Sequence, residues 1–171
     1  MKRTSLILLM LLLFAGISSA QRFAYVDTRY VLDNIPEYES AQEQLDIIAQ
    51  EWQDEIEAMY SEIEKLYKEY EVEKVLLSDE LKRKREEEIL QKEREVKELQ
   101  KKHFGQEGDL FQKRQELIKP IQDEVFNAIK EIGEKGNYAV IFDVASGMGI
   151  LYNDPKYDKS DEVLEKLGYQ N

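Results

Sequence analysis

Apolar residues recur through the middle of the chain at intervals of three and four positions. Residues 37–77 contain no Gly and no Pro, and their regularly spaced apolar positions are Ala41, Leu45, Ile48, Trp52, Ile56, Met59, Ile63, Leu66 and Tyr70. Such spacing keeps apolar side chains on one face of a helix and is typical of a coiled-coil seam. At 1.5 Å per residue the helix would reach about 60 Å, so the pattern predicts an extended arm.

A second arm is predicted from about residue 79 to residue 132. Ser78 is suited to cap its first turn, and Asp79 and Glu80 suit the N-terminal end of a helix, so we expect a tight reversal at Ser78. Pro120 removes one hydrogen bond from the ladder and predicts a kink or a helix junction near Lys119. The seam positions of this arm are Leu81, Ile89, Val96, Leu99, His103, Leu110, Leu117, Ile121, Val125 and Ile132.

Two helices joined by a short turn lie antiparallel, so residues equidistant from the turn should meet. With the reversal near Ser78, Trp52 is expected opposite Phe104 and Gly105. Gly105 and Gly108 each cost about 1 kcal/mol inside a helix. They either leave room for the indole or form a flexible point, and they are the candidate hinge residues.

Strand-like sequence stands on both sides of the helical region. Residues 138–144 and 148–152 are rich in β-branched and aromatic side chains and are typical of a hairpin, and residues 23–26 resemble a third short strand. The tail is expected to end in a short helix, 160–167, capped by Ser160. Three short strands are stable only when a helix or another subunit covers them.

The pattern as a whole predicts an α+β protein, with a small β body and two long antiparallel helical arms. Residues 21–36 and 133–171 would form the body, and residues 37–132 the arms. A lone protomer would leave its strand edges exposed, which favours association between copies. The candidate oligomerisation residues are Val26, Val140, Phe142 and Ile150.

The first twenty residues have the features of a secretory signal peptide. Lys2 and Arg3 precede an apolar run from residue 6 to residue 15, and small residues lead to Ala20. The run is too short for a typical membrane span. We expect export and cleavage between Ala20 and Gln21.

Charge excludes one class of partner and divides the arms. The chain has a net charge of −12 and no Cys, so a nucleic-acid binder and a disulfide framework are both disfavoured. Residues 37–77 hold 13 acidic and 3 basic residues, net −10, whereas residues 79–131 hold 14 and 13, net −1. The outgoing arm is therefore acidic and the returning arm balanced.

The chemistry-bearing residues do not form the pattern of an enzyme. His103 is the single His and falls on the seam of a helix, where a packing or surface role is favoured over catalysis. The sequence has no metal-ligand spacing, nucleophile elbow or phosphate loop. We expect no enzyme activity and no cofactor.

The order of these segments resembles the Skp/OmpH family of periplasmic chaperones over essentially the whole chain after residue 20. The resemblance rests on FAYVDTRYVLDNIPEYESA near the start, YAVIFDVASGMGILY after the arms and DEVLEKLG at the end. It implies a jellyfish-like homotrimer in the periplasm, whose helical tentacles enclose unfolded outer-membrane proteins without ATP. Family members are often strongly basic, and this acidic chain departs from that pattern.

Candidate contact residues follow from this interpretation. Tyr60, Tyr67, Met59 and Ile63 are the candidates for contact with a client, meaning an unfolded outer-membrane protein. The cluster Lys82, Arg83, Lys84 and Arg85 would either pair with Glu86, Glu87 and Glu88 on a solvated turn or contact anionic lipid or lipopolysaccharide. The alternatives to a holdase are a structural periplasmic coiled-coil spacer and an envelope lipid- or polysaccharide-binding protein.

Overall fold

The computed structural model describes residues 21–147 and 149–169, which are mostly helical with a small two-stranded sheet. The predicted signal peptide, residues 1–20, lies outside them. The elements in chain order are β1 (Arg22–Val26), α1 (Thr28–Asp33), α2 (Pro36–Glu73), α3 (Asp79–Phe104), α4 (Asp109–Leu117), α5 (Lys119–Gly136), β2 (Tyr138–Asp143) and α6 (Ser160–Leu167). Short 3₁₀ turns occupy Val144–Ser146 and Pro155–Tyr157.

The chain forms two compact units. The strand unit contains the described residues up to Val31 and from Val125 onward, and the arm unit is Leu32–Glu124. The strand unit buries the apolar residues Ala24, Tyr25, Val26, Val31, Val125, Ala128, Ile132, Val163 and Leu164.

The sheet of the strand unit is parallel, and the predicted hairpin is wrong. β1 pairs with β2 in the register Phe23 to Val140 and Val26 to Asp143. Beyond β2 the Asp143 carboxylate accepts the Ala145 N–H at 3.0 Å, which turns the chain into a 3₁₀ turn. Residues 149–152 are not in a strand. Parallel strands need a crossover connection, and the helices between β1 and β2 are that connection.

The tail is tied to the end of β1 by Ser160, which is not the cap that the sequence suggested. The N-cap position of α6 is Lys159, and Asp158 Oδ1 accepts from both the backbone N–H and the hydroxyl of Ser160. The Ser160 hydroxyl oxygen in turn accepts the Asp27 N–H at 2.9 Å. Ser160 is therefore a buried residue that links the segment after β1 to the start of α6.

In the arm unit, α2 packs against α3 and α4 along the predicted seam. One cluster of buried residues is Ile56, Ile63, Ile89 and Val96, and another is Ala41, Leu45 and Ile118. Leu81 was predicted on the seam but is 49% exposed, because it lies in the first turn after the reversal. Ile118 is buried, although it was not among the predicted positions.

The returning arm is three helices, whereas the sequence predicted one junction, near Lys119, and left open whether Gly105 and Gly108 interrupt the helix. The ladder stops at Phe104 and restarts at Asp109, with Gly105 closing α3 and Gly108 preceding α4. A second junction falls at Ile118, immediately before α5, as the proline had predicted near Lys119. The reversal is also confirmed, since the Ser78 hydroxyl oxygen accepts the Leu81 N–H at 3.4 Å.

Candidate functional site

The predicted client-contact tyrosines lie on the outer surface of α2 and reach across to α3. Tyr60 and Tyr67 are 42% and 43% exposed. The Tyr67 hydroxyl donates to Glu93 Oε1 at 3.0 Å, and the Tyr60 hydroxyl donates to the Gln100 side chain at 3.4 Å. The bond to Glu93 raises the pKa of the Tyr67 hydroxyl above its ordinary value. Each ring therefore has an exposed face, while its hydroxyl is hydrogen-bonded to a side chain of α3.

The other two candidates, Met59 and Ile63, belong to the interior of the arm. Ile63 is 5% exposed in the cluster between α2 and α3, and Met59 is half-buried against that cluster. This corrects the suggestion that Ile63 contacts a client, because its side chain is already covered by the arm itself. Near the turn, the Tyr70 hydroxyl donates to Glu86, which raises the pKa of Tyr70 to about 12.

The turn of the arm unit carries exposed aliphatic and basic side chains together. Val72, Val75 and Leu76 are highly exposed at the end of the outgoing arm, with Leu76 at 87%. In the basic cluster, Lys82 pairs with Asp79 at 3.6 Å and Arg85 with Glu88 at 3.0 Å, both one turn apart. The exposed aliphatic residues of this tip were not among the predicted contact residues. The apolar run VLL at 75–77, directly before the reversal, is the feature of the sequence that could have indicated them.

The break in the returning arm, residues 105–108, is called the elbow below. His103 is 6% exposed, and its ring stacks on Trp52 with centroids 4.3 Å apart and planes 8° apart. His103 Nδ1 lies 2.8 Å from Asp109 Oδ2, and Nε2 lies 4.0 Å from Glu55 Oε2. The predicted meeting of Trp52 with Phe104 is also confirmed: the two rings contact edge to face, with centroids 6.3 Å apart.

The strand unit contains an open groove of about 950 Å³ beside β1. Its aromatic lining includes Phe23, Tyr25, Tyr138, Phe142, Tyr152 and Tyr157. Arg22 lies 4.6 Å from the centroid of the Tyr138 ring, and the Phe23 and Phe142 rings stack at 6.4 Å. Burial and the neighbouring Asp158 carboxylate raise the pKa of the Tyr25 hydroxyl.

Three of the four oligomerisation candidates are on the surface of the strand unit. Val140, Phe142 and Ile150 are exposed, whereas Val26 is 2% exposed inside the protomer. This corrects the assignment of Val26, whose side chain is not available to another copy. Leu151 and Tyr152 were not singled out, yet both are highly exposed, and Tyr152 lines the groove.

In residues 21–147 and 149–169, no group of His, Asp and Glu side chains is arranged to hold a metal ion. None of the helices described there is both long enough and apolar enough to cross a membrane.

Comparison with known proteins gives matches across nearly the whole chain. A family model described as outer membrane protein (OmpH-like) matches residues 22–167. An uncharacterized protein of Aquifex aeolicus (strain VF5) is 34% identical over 155 residues, which are 91% of each chain. A crystal structure of an OmpH-like protein from Caulobacter crescentus CB15, itself proposed to be an outer membrane chaperone, superposes with a TM-score of 0.67. It covers 88% of this chain and 85% of its own at 11% identity, so this likeness establishes the fold alone.

Proposed function

The chain belongs to the OmpH-like family of outer membrane proteins, and on that premise we propose that it is an ATP-independent holdase of the bacterial periplasm. It binds unfolded outer-membrane proteins between its helical arms and keeps their apolar strands apart until delivery. The observation that carries this proposal is the family match over residues 22–167, which includes both units of the chain. Family membership supports a chaperone role; the client class and the location are our inference.

The arm surface supports loose binding of many sequences. The exposed faces of Tyr60 and Tyr67 offer aromatic contact, and such rings with a polar tip suit adaptable interfaces. Many weak contacts hold an unfolded chain without a shaped pocket. Because the bound client is removed from the aggregating pool, mass action alone protects it and no nucleotide is needed.

We further propose that the protein is a homotrimer joined through the strand unit. β1 has β2 on one side and the aromatic groove close by, and Val140, Ile150 and Leu151 leave apolar surface in water. A second copy would cover that surface. Light scattering coupled to size exclusion should report three chains per particle. A stable monomer at micromolar concentration would contradict this assembly.

The same assembly can be tested by substitution. Val140→Asp together with Phe142→Lys places charges on the exposed strand surface and should dissociate the particle. The control, Val75→Asp with Leu76→Lys at the tip of the arms, places the same charges on apolar residues that are even more exposed, and it should leave the mass unchanged.

The holdase activity is tested by aggregation of a denatured outer-membrane protein. The client is diluted from urea into buffer with and without the purified chain, and turbidity is followed in the absence of ATP. We expect suppression at stoichiometric amounts of the assembled protein. A structural spacer would leave the turbidity unchanged, and that result would reject the holdase.

A second candidate function is contact with an anionic lipid or lipopolysaccharide surface, and the tip of the arms favours it. Exposed Val75 and Leu76 adjoin the basic cluster 82–85, and each basic charge is worth about 1 kcal/mol near an anionic membrane. Flotation with vesicles of anionic and of zwitterionic lipid tests this contact. Binding to anionic vesicles should be lost when Arg83 and Lys84 become Gln; binding to neither vesicle would remove this candidate.

A further inference from the structure

The elbow joins three helices through one imidazole ring. His103 is in the last turn of α3, its Nδ1 reaches Asp109 in the first turn of α4, and its ring lies flat on Trp52 of α2. The backbone of the elbow itself supplies few bonds, such as Gly108 N–H to the Gly105 carbonyl at 2.9 Å. The side-chain contacts of His103 therefore tie the two ends of the break together, beside the apolar packing of α4 on α2.

Both ring nitrogens of His103 face carboxylates. Asp109 lies at Nδ1 and Glu55 lies toward Nε2, while Lys102 Nζ is 4.0 Å from the same oxygen of Asp109. A neutral imidazole has one N–H, so it can donate to only one of the two carboxylates and turns a lone pair toward the other. The imidazolium form has two donors and a positive charge, so it keeps the bond to Asp109, attracts Glu55 across 4.0 Å and is attracted to the indole face.

The ring also lies between two helix ends. A cation at the C-terminal end of α3 and an anion at the N-terminal end of α4 both complement the helix dipoles. Lys102 is a second cation near Asp109, but its side chain is mostly exposed and its Nζ lies 4.0 Å from Asp109 Oδ2. The buried His103 ring is closer, with Nδ1 at 2.8 Å from the same oxygen. His is the side chain whose charge ordinarily changes between pH 5 and pH 8.

We propose that Trp52, His103, Asp109 and Glu55 form a proton-operated clasp that holds the elbow more tightly when His103 is charged than when it is neutral. Acid then restrains α4 relative to α2 and α3, and alkaline pH loosens the returning arm at residues 105–108. The clasp is a property of the arm unit and does not depend on what the protein binds.

Two spin labels across the elbow test the proposal. The chain has no Cys, so cysteines introduced at the exposed positions Lys97 and Gln115 are the only labelling sites. The spin-labelled protein carries no affinity tag and is diluted with unlabelled chain. The distance between the two labels is measured by pulsed electron paramagnetic resonance at pH 5 and pH 8. We expect a narrow distance distribution at pH 5 that broadens at pH 8. A control pair at Glu87 and Lys97, both within α3, should not change.

Variants then assign the effect to the ring. His103→Gln keeps a polar side chain of similar size that cannot be charged, and it should give equal widths at both pH values. The pH dependence persisting in His103→Gln, or equal widths in the parent protein, would overturn the proposal. If circular dichroism shows that His103→Gln is unfolded, Glu55→Gln replaces it, because that side chain is exposed and leaves the stack intact. It should reduce the broadening at pH 8, and an unchanged response would reject the two-carboxylate clasp.

A single Trp and a single His also give a direct readout. A charged imidazole quenches a stacked indole, so Trp52 emission should fall as the pH is lowered. Its midpoint should match the titration of the His103 ring followed by NMR. If the two midpoints differed, the Trp52 emission would not be following the protonation of His103, and this result would contradict the clasp.

Discussion

At the scale of single residues, burial separates side chains that look alike in the sequence. Ile56 and Ile47 are both isoleucines on α2, yet Ile56 is 2% exposed in the cluster with Ile89 and Val96, and Ile47 is 59% exposed. The free energy gained by an apolar side chain follows the area that folding removes from water. The two positions should therefore differ sharply in their contribution to stability.

Replacing Ile56 with Ala should lower the free energy of unfolding of the arm unit by about 2–5 kcal/mol, because methyl groups are lost and a cavity is left. The matched control, Ile47→Ala, should change it by less than about 0.5 kcal/mol. Urea unfolding followed by circular dichroism measures both. Equal losses in the two variants would show that the seam does not stabilise the arm.

The exposed tyrosines allow contact with a client to be separated from their bonds to α3. Replacing Tyr60 and Tyr67 with Ser should weaken client binding, because the aromatic faces are lost. The double change to Phe removes the hydroxyl bonds to Gln100 and Glu93 but keeps both rings, and it should bind nearly as the parent does. Titration of a labelled, denatured outer-membrane protein gives the affinities. Equal weakening by Ser and Phe would assign the effect to the geometry of the arm instead.

At the scale of elements, the elbow is a compact turn built on two glycines. A Cβ on Gly105 would lie 2.3 Å from the Lys101 carbonyl oxygen, and one on Gly108 would lie 2.6 Å from that of Lys102. Neither φ is in the left-handed region, so the requirement is one of space. The role of these glycines as a hinge remains a prediction, but the observed turn cannot accept a side chain at either position.

Changing Gly105 or Gly108 to Ala should therefore displace α4 from its place after α3. The label distance across the elbow should shift, and the stack of Trp52 on His103 should weaken. Gln106→Ala is the control, because Gln106 is exposed within the same turn. An unchanged distance in both Gly variants would show that the turn adapts without cost.

The terminal helix α6 is attached to α5 through Glu131. Its Oε2 accepts from Lys166 at 2.6 Å and from Lys135 at 3.3 Å, and these bonds hold the pKa of Glu131 below its ordinary value, with Lys166 the larger cause. A carboxylate with a lowered pKa contributes its stabilisation above the unfolded-state pKa and loses it as the pH falls through the folded-state value. Since the pair is exposed, the effect should be small.

Glu131→Gln should speed hydrogen exchange of the α6 amides at neutral pH, and its difference from the parent should vanish once the carboxyl is protonated in acid. Glu134→Gln is the control, because Glu134 pairs with Lys130 inside α5. If the two variants had comparable effects on α6, the loss of one negative charge from α5 would be the cause, rather than the loss of the bond to Lys166.

At the scale of the whole molecule, charge is distributed so that a strongly basic cavity is not available. The chain carries a net charge of −12, and its outgoing arm alone is at −10. Charges in water are screened over about 8 Å at physiological salt, whereas burial of apolar surface persists. We therefore expect the proposed holding of a client to depend on apolar contact.

The affinity for a client should change little between low and moderate NaCl. Sodium sulfate, which strengthens apolar burial, should raise it or leave it unchanged. Fluorescence titrations at fixed pH across a series of salt concentrations give the dependence. A steep loss with NaCl would show that charge drives binding, and the basic cluster 82–85 would then be the first region to replace.

The amino-acid sequence by itself determined the features that depend on local chemistry. The spacing of apolar residues predicted α2, α3 and their seam, and Ser78 predicted the reversal, because helix periodicity and capping act over a few residues. Pro120 predicted the junction near Lys119 for the same reason. The meeting of Trp52 with Phe104 followed from counting residues away from the turn.

The tertiary structure alone decided how distant segments combine. β2 pairs in parallel with β1, and residues 149–152 leave the sheet, because Asp143 binds Thr28 and Ala145 instead of continuing the strand. The sequence placed His103 on the seam, but it did not predict that Asp109 of α4 and Glu55 of α2 lie at the two nitrogens of its ring. Contacts between residues far apart in the chain depend on the packing of whole elements, and a local pattern does not contain that information.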